Sequence, residues 1–181
     1  MGVEISTTAV DREKKMMEAG GLVAQTTPFL TTGGATTLTS GKLYGVGVWL
    51  PAGLTITNMH IWVETVAATV TLTRVGVYDS AFALVASTDN DATLQTSSAF
   101  RSKALSSPYK TPTDGVYYFA YLNVASTPGA LFRSGGIPAS GVPRIGSNAY
   151  FYWAQSGQTD LPATATPGSG NGPTAYWIGA S

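Results

Sequence analysis

The chain has 181 residues, of which 44% are hydrophobic and only 11% are charged, with 10 basic and 10 acidic side chains. Its length suits one domain, and the apolar share is large enough to fill a core, which excludes a disordered tail. A net charge of zero argues against a nucleic-acid binder, while zero cysteines and a single histidine exclude disulfides, thiolate metal sites and multi-histidine metal sites.

The N-terminal segment lacks the apolar core that follows the basic residues of a signal peptide. We therefore expect no secretion signal and synthesis in the cytoplasm. No apolar run approaches the roughly 20 residues that a helix needs to cross a bilayer. We also expect no membrane span, no bound metal and no cofactor.

Residues 1–20 carry seven of the 20 charged side chains and differ in composition from the rest of the chain. Within them, Thr8 and Asp11 have the spacing of a helix cap, residues 9–19 are good helix formers, and 20–21 is a Gly-Gly stop. A helix this short is marginal in water, so it needs a partner surface or the same segment of sister subunits. The predicted anchoring residues of this arm are Val10, Met16 and Met17.

Residues 26–40 are rich in threonine and glycine and are typical of a linker. We therefore expect two parts in the chain: an anchoring arm with its linker at 1–41, and a folded domain at 42–181.

The folded domain shows the alternation of period two, with β-branched and aromatic residues, that indicates strands. In 69–73 it predicts threonines on one side of a strand, with Val70 and Leu72 on the other. Eight or nine strands are too many for one flat sheet, so we predict an all-β fold in which two sheets pack face to face. The predicted architecture is an antiparallel β-sandwich of jelly-roll type with about eight strands, preceded by a short helical or extended N-terminal arm. The predicted strands are Leu43–Leu50, Leu54–Thr65, Thr69–Tyr78, Ala81–Ser87, Ala104–Tyr109, Val116–Val124, Ala149–Ala154 and Tyr176–Ile178, with a ninth, short one at Ala130–Arg133.

Any Ser-His-Asp mechanism would have to use His60, but this residue lies in the middle of a predicted strand, and the chain has no Gly-x-Ser-x-Gly turn. We therefore expect a structural or surface histidine. Residues 89–93 alternate oxygen ligands as a calcium loop does, yet the motif's glycine and glutamate are missing. The carboxylates that could pair for glycoside hydrolysis lie mostly at turns, where such side chains usually bind backbone amides: Glu64, Asp79, Asp89, Asp91, Asp114 and Asp160.

Aromatic side chains are concentrated at 117–121 and 150–153, where rings fall on both faces of their strands. One face must belong to the core. For the other face, three interpretations stay open: further packing between sheets, a subunit interface, or stacking on sugars. The candidates for an interface or glycan contact are Tyr117, Tyr121, Tyr150, Tyr152, Trp153 and Trp177.

Four segments resemble the β-sandwich virion proteins of tailed bacteriophages: LPAGLTITN at 50–58, VGVYDS at 75–80, LVASTD at 84–89 and DGVYYFAYL at 114–122. The resemblance covers about half of the chain, residues 42–132, and contains strand and turn patterns without a catalytic signature. It implies a framework role for these segments, and the arm and the loops after residue 134 lie outside it.

The resemblance implies a non-enzymatic structural protein of the virion. The first expectation is a capsid decoration or head-fibre protein that is anchored by its N-terminal arm and contacts other virion proteins, either the major capsid protein or tail proteins. A homo-oligomer is expected, with a trimer favoured. The alternative is a tail-associated adhesin that binds glycans on the host surface through tyrosine, tryptophan and loop amides. A glycoside hydrolase or esterase is the third hypothesis.

Overall fold

The computed structural model describes residues 8–26, 32–134, 152–168 and 175–181. They form one α-helix, a short 3-10 helix at Ala92–Gln95 and eleven strands. The helix α1 spans Thr8–Ala19. The strands are β1 (Ala24–Gln25), β2 (Thr32–Thr37), β3 (Lys42–Leu50), β4 (Thr55–Thr65), β5 (Ala68–Tyr78), β6 (Leu84–Ser87), β7 (Ala99–Lys110), β8 (Gly115–Thr127), β9 (Ala130–Ser134), β10 (Tyr152–Gln155) and β11 (Ile178–Ala180).

Two antiparallel sheets pack face to face, which confirms the predicted all-β sandwich. Sheet A has the order β1-β11-β4-β9-β2, with β7 on the other edge of β4, and sheet B has the order β10-β3-β8-β5-β6. A bridge between Thr88 and Leu105 joins the two sheets along one side. The jelly-roll type of the sandwich stays a prediction.

The main core lies between the sheets, because alternate residues of each strand point inward. Sheet A contributes aliphatic side chains from β4, and sheet B contributes aromatic rings from β8 together with aliphatic residues of β3 and β5. The fully or almost fully buried members include Val46, Leu50, Ile56, Met59, Ile61, Val63, Val75, Val77, Phe119, Tyr121 and Leu131.

A second, smaller core covers the outer face of sheet B. Residues 156–168, which follow β10 and are called the strap below, lie across this face and bury Leu161 and Ala165. Leu84 N donates to Ala163 O at 2.9 Å, and Ala165 N donates to Phe82 O at 2.8 Å. The strap has no regular secondary structure, and several of its backbone groups bond to neighbouring segments of sheet B. The other buried members of this core are Leu43, Tyr78, Tyr118, Ala120, Leu122 and Trp153.

The expected division at residue 41 is wrong, because two strands of sheet A precede it. The strand β1 pairs with β11, and β2 pairs with β9, so the sandwich begins at Ala24. Residues 26–40, predicted as a linker, contain β2 at Thr32–Thr37. This strand was missed because its sequence, TGGATT, has no apolar alternation and is held by backbone pairing at the edge of the sheet. The predicted strand residues 149–151 lie outside the described part of the chain.

The alternation predicted for residues 69–73 is also wrong. A bulge between Val70 and Leu72 inserts one extra residue in β5. Leu72 consequently packs in the second core, while Thr73 is buried between the sheets with a relative exposure of 0%. The buried hydroxyl accepts a hydrogen bond from Asn123 Nδ2 at 3.0 Å, which compensates for its loss of water.

Candidate functional site

The described side chains of α1, in its C-terminal half, are largely exposed. Of residues 14–20, only Met17 is partly buried, and Met16 is 52% exposed. Gly21 ends the helix with φ +73°, and Leu22 N donates to Met17 O at 2.8 Å, as in a glycine C-cap. The predicted anchoring residues Val10, Met16 and Met17 therefore all lie in one helix, although the side chain of Val10 is outside what the structure describes.

The base of α1 is fastened to sheet A by a run of hydrogen bonds along β11. Val23 N donates to Ala180 O at 2.8 Å, and Thr26 N donates to Ile178 O at 2.9 Å. The hydroxyl of Thr26 is buried and bonds both Tyr176 O, at 2.8 Å, and Ile178 N, at 3.0 Å. The exposed helix is thus joined to a rigid part of the sandwich.

An aromatic cluster covers the outer face of sheet A beside this junction. The rings of His60 and Phe100 stack with centroids 5.2 Å apart, and Phe100 lies 5.8 Å from Trp177. Trp177 is only 1% exposed, and its Nε1 donates to Gln25 Oε1 at 3.1 Å. Phe100 is 45% exposed, so the cluster reaches the surface at β7.

His60 is paired with Ser181, but the pair lacks the third group of a catalytic triad. The distance from His60 Nε2 to Ser181 Oγ is 2.9 Å. His60 Nδ1 is buried and has no hydrogen-bond partner, so among the described residues no carboxylate orients the ring. Burial lowers the pKa of His60 below its ordinary value, which favours a neutral ring at pH 7. The geometry fits a structural histidine.

Two of the carboxylates considered for glycoside hydrolysis accept hydrogen bonds from backbone amides at turns. Asp79 Oδ1 accepts from Ala81 N and Ala83 N, both at 2.9 Å, and Asp114 Oδ1 accepts from Ala52 N at 2.6 Å. Such contacts organise turns.

The two aspartates of the considered calcium loop already have other partners. Asp91 Oδ2 lies 2.9 Å from Lys103 Nζ, and Asp91 Oδ1 accepts from Thr93 N at 2.9 Å. The hydrogen bond from Lys103, followed by that from Thr93, lowers the pKa of Asp91. Asp89 Oδ1 accepts from Ser106 Oγ at 2.7 Å. A lysine ammonium thus occupies the position next to Asp91, and the described residues contain no group of three or more side chains suited to hold a metal ion.

Five of the six rings proposed for an interface or glycan contact are buried. Their relative exposures are 9% or less, so none presents a face to a sugar, and this assignment is corrected by the structure. Tyr117, Tyr121 and Tyr152 belong to the main core, Trp153 is covered by the strap, and Trp177 lies in the aromatic cluster of sheet A. The sixth ring, Tyr150, lies outside the described residues. The five buried rings are Tyr117, Tyr121, Tyr152, Trp153 and Trp177.

An exposed aromatic residue of sheet B was not singled out from the sequence. Trp49 is 66% exposed and lies directly opposite Val116, which is 38% exposed, in the pairing of β3 with β8. The alternation of residues in β3 does predict the face on which Trp49 lies. Since Val46 and Leu50 point into the core, Trp49 must fall on the outer face of the strand.

A scan of the chain against protein-family models finds no match, and a search of the curated proteins also finds none. Within the described residues, no helix is long and apolar enough to span a membrane. The candidate functional surfaces of this chain are therefore identified by geometry: the exposed helix α1 with its junction on sheet A, and the exposed Trp49 on sheet B.

Proposed function

We propose that this chain is a non-enzymatic structural protein of a bacteriophage virion, a capsid decoration or head-fibre protein anchored by its N-terminal arm. The observation that carries the proposal is the exposed helix α1, fastened at its base to the sandwich. The partners are other virion proteins, either the major capsid protein or tail proteins, and the sandwich projects away from them. We propose a homo-oligomer, with a trimer favoured.

The helix supports an anchoring role because it needs a partner to be stable. A twelve-residue helix is marginal in water, and α1 exposes Met16 while contributing little to either core. Its only described ion pair joins Lys14 and Glu18 across 3.8 Å, with both side chains more than 60% exposed. Such a pair contributes about 0.3–0.5 kcal/mol. Contact with another protein would supply the missing apolar burial.

The junction of α1 with β11 supports the same role because it connects the helix to sheet A through backbone hydrogen bonds. The hydrogen bonds of Val23 and Thr26 to β11 run directly into sheet A, where β11 pairs with β4 at the centre. A pull on α1 is therefore carried by paired strands and not by a free tether. An attachment element requires this coupling.

The proposal is tested by assembling virions with a chain that lacks residues 1–20. The truncated chain retains Val23 and Thr26, so we expect it to fold and stay soluble, and to be missing from purified particles by quantitative mass spectrometry. Met16→Glu should lower occupancy about tenfold, since it places a charge on the apolar side of the helix. Val66→Glu is the matched control, because Val66 is 45% exposed in the turn after β4 and should leave occupancy unchanged. Full occupancy of the truncated chain would contradict the anchoring role.

A tail-associated adhesin that binds host-surface glycans is the second candidate function. The observation that favours it is the exposed Trp49, because an indole face in water is a surface on which a sugar can stack.

A further inference from the structure

The exposed ring of Trp49 lies on a small apolar platform. Its neighbour across the sheet is Val116, and the side chain of Trp49 makes no ring pair or hydrogen bond with the residues the structure describes. Exposing a tryptophan to water is unfavourable relative to burying it. The arrangement therefore leaves apolar surface available to a ligand.

Two interlocked turns hold the end of this platform rigidly. Thr111 N donates to Leu54 O at 2.9 Å, and Gly53 N donates to Thr111 O at 2.8 Å. The hydroxyl of Thr111 also accepts from Leu54 N at 2.9 Å and donates to Pro51 O at 2.5 Å. Thr111 is only 2% exposed, so these bonds are shielded from water. A site fixed in this way loses little conformational entropy when a ligand binds.

A carboxylate lies at the same end of the sheet. Asp114 comes one residue before Gly115, which pairs with Leu50, and it is exposed. One of its oxygens accepts from Ala52 N at 2.6 Å, which fixes the carboxylate over the turn after β3. The other oxygen remains an acceptor for a hydroxyl of a ligand.

We propose that Trp49, Val116 and Asp114 form a binding site for a pyranose sugar. The C–H face of the ring would stack on the indole of Trp49 and contact Val116, while a hydroxyl at its rim would donate to Asp114. A sugar has this combination of an apolar face and a rim of hydroxyls, and the site offers a complementary surface for each.

The small size of the platform disfavours a protein partner. A stable protein interface covers about 800 Å² on each partner. Among the described residues, no other large exposed apolar side chain extends the platform, because the remaining ones belong to α1, to sheet A or to segments next to it: Met16, Val23, Val66 and Phe100. The sugar site does not depend on the anchoring role of α1, and it gives the second candidate function a specific location.

The test uses the full chain and three simple probes: methyl β-glucoside, methyl β-galactoside and N-acetylglucosamine. In saturation-transfer NMR, protons on one face of the bound ring should receive saturation. The chain has four tryptophans, so four indole N–H signals are expected, and only that of Trp49 should shift during the titration. Trp49→Ala should weaken binding at least about tenfold and Asp114→Asn about threefold.

Phe100→Ala is the matched control, because Phe100 is an exposed ring on the other sheet and its removal should leave sugar binding unchanged. Circular dichroism melting of each variant checks that it folds, which is expected for Trp49→Ala because the ring lies outside both cores. Absence of saturation with all three probes overturns the proposal. Equal binding by Trp49→Ala does so too, as does self-association that Trp49→Ala abolishes, since a second copy would then occupy the platform. None of these outcomes affects the particle assay of the anchoring role.

Discussion

The strap at 156–168 and the helix α1 both lie outside the two sheets, and they behave in opposite ways. The strap has no regular secondary structure, yet it buries Leu161 and Ala165 to exposures of 7% and 4%. The helix has regular hydrogen bonds, yet its final turns remain exposed. Regular structure therefore does not decide which segment packs on the sandwich.

Composition and backbone bonding explain the difference. The strap carries one charged residue, Asp160, and several of its backbone groups bond to the segments beneath it, as between Leu84 N and Ala163 O and between Ala165 N and Phe82 O. The helix satisfies its own backbone and carries six charged side chains in twelve residues. A segment that needs the sandwich for its hydrogen bonds is held there, and a segment that does not need it is free to meet another protein.

The largest expected effect on stability comes from adding a side chain at Gly45, beneath the strap. A Cβ added at Gly45 would overlap the indole of Trp153, whereas one added at Gly115 would meet nothing within 4 Å. We expect Gly45→Ala to lower the free energy of unfolding by about 3 kcal/mol, because Trp153 must leave its position in the second core. Gly115→Ala is the control and should change stability by less than about 0.5 kcal/mol. Urea denaturation measures both, and equal values would contradict the expected cost of displacing Trp153.

The apolar contacts of the two segments give the next effect. Leu161→Ala should cost about 2–3 kcal/mol, since it removes a buried side chain that packs in the second core. Met16→Ala should change the free energy of unfolding of the isolated chain by less than about 0.5 kcal/mol, because Met16 is 52% exposed. A cost for Met16→Ala close to that for Leu161→Ala would mean that α1 packs on the sandwich in solution.

The ion pairs of the two segments give the smallest effect. Arg74 Nη1 lies 2.8 Å from Asp160 Oδ1 and ties the strap to sheet B, whereas Lys14 and Glu18 pair within α1 at 3.8 Å. Because the Asp160 side chain is 56% exposed, solvent screening limits the expected cost of Asp160→Asn to about 0.5 kcal/mol. Glu18→Gln should cost about 0.3 kcal/mol or less. The measurement is the free energy of unfolding of each variant in low and in high salt. If salt does not reduce the cost of Asp160→Asn, the Arg74–Asp160 contact does not stabilise the strap electrostatically.

Much of the fold could be predicted from the sequence where strands are long and alternate clearly. The prediction Leu54–Thr65 differs from β4 by one residue, and Leu43–Leu50 differs from β3 by one. Prediction failed where a strand has no clear apolar alternation. Both β1 and β2 are short or glycine-rich, and their partners β11 and β9 lie more than 90 residues away in the chain.

The candidate site was predictable only in part, because alternation assigns a face to a side chain but does not say what covers that face. Trp153 and Trp49 both lie on the outer face of sheet B. The strap covers Trp153 completely, while Trp49 remains 66% exposed. From the sequence alone, Trp153 was a candidate for an interface or glycan contact, and Trp49 was not.

The sequence by itself determined the all-β class, the charged helix at the N-terminus and the positions of most strands, since these depend on local periodicity and composition. Tertiary structure decided which rings are accessible, where the sandwich begins and how α1 is joined to it. These properties depend on contacts between residues far apart in the chain, such as Thr26 with Ile178 and Leu161 with the second core. Burial is a property of the assembled sheets, and no local pattern specifies which segment will cover an apolar face.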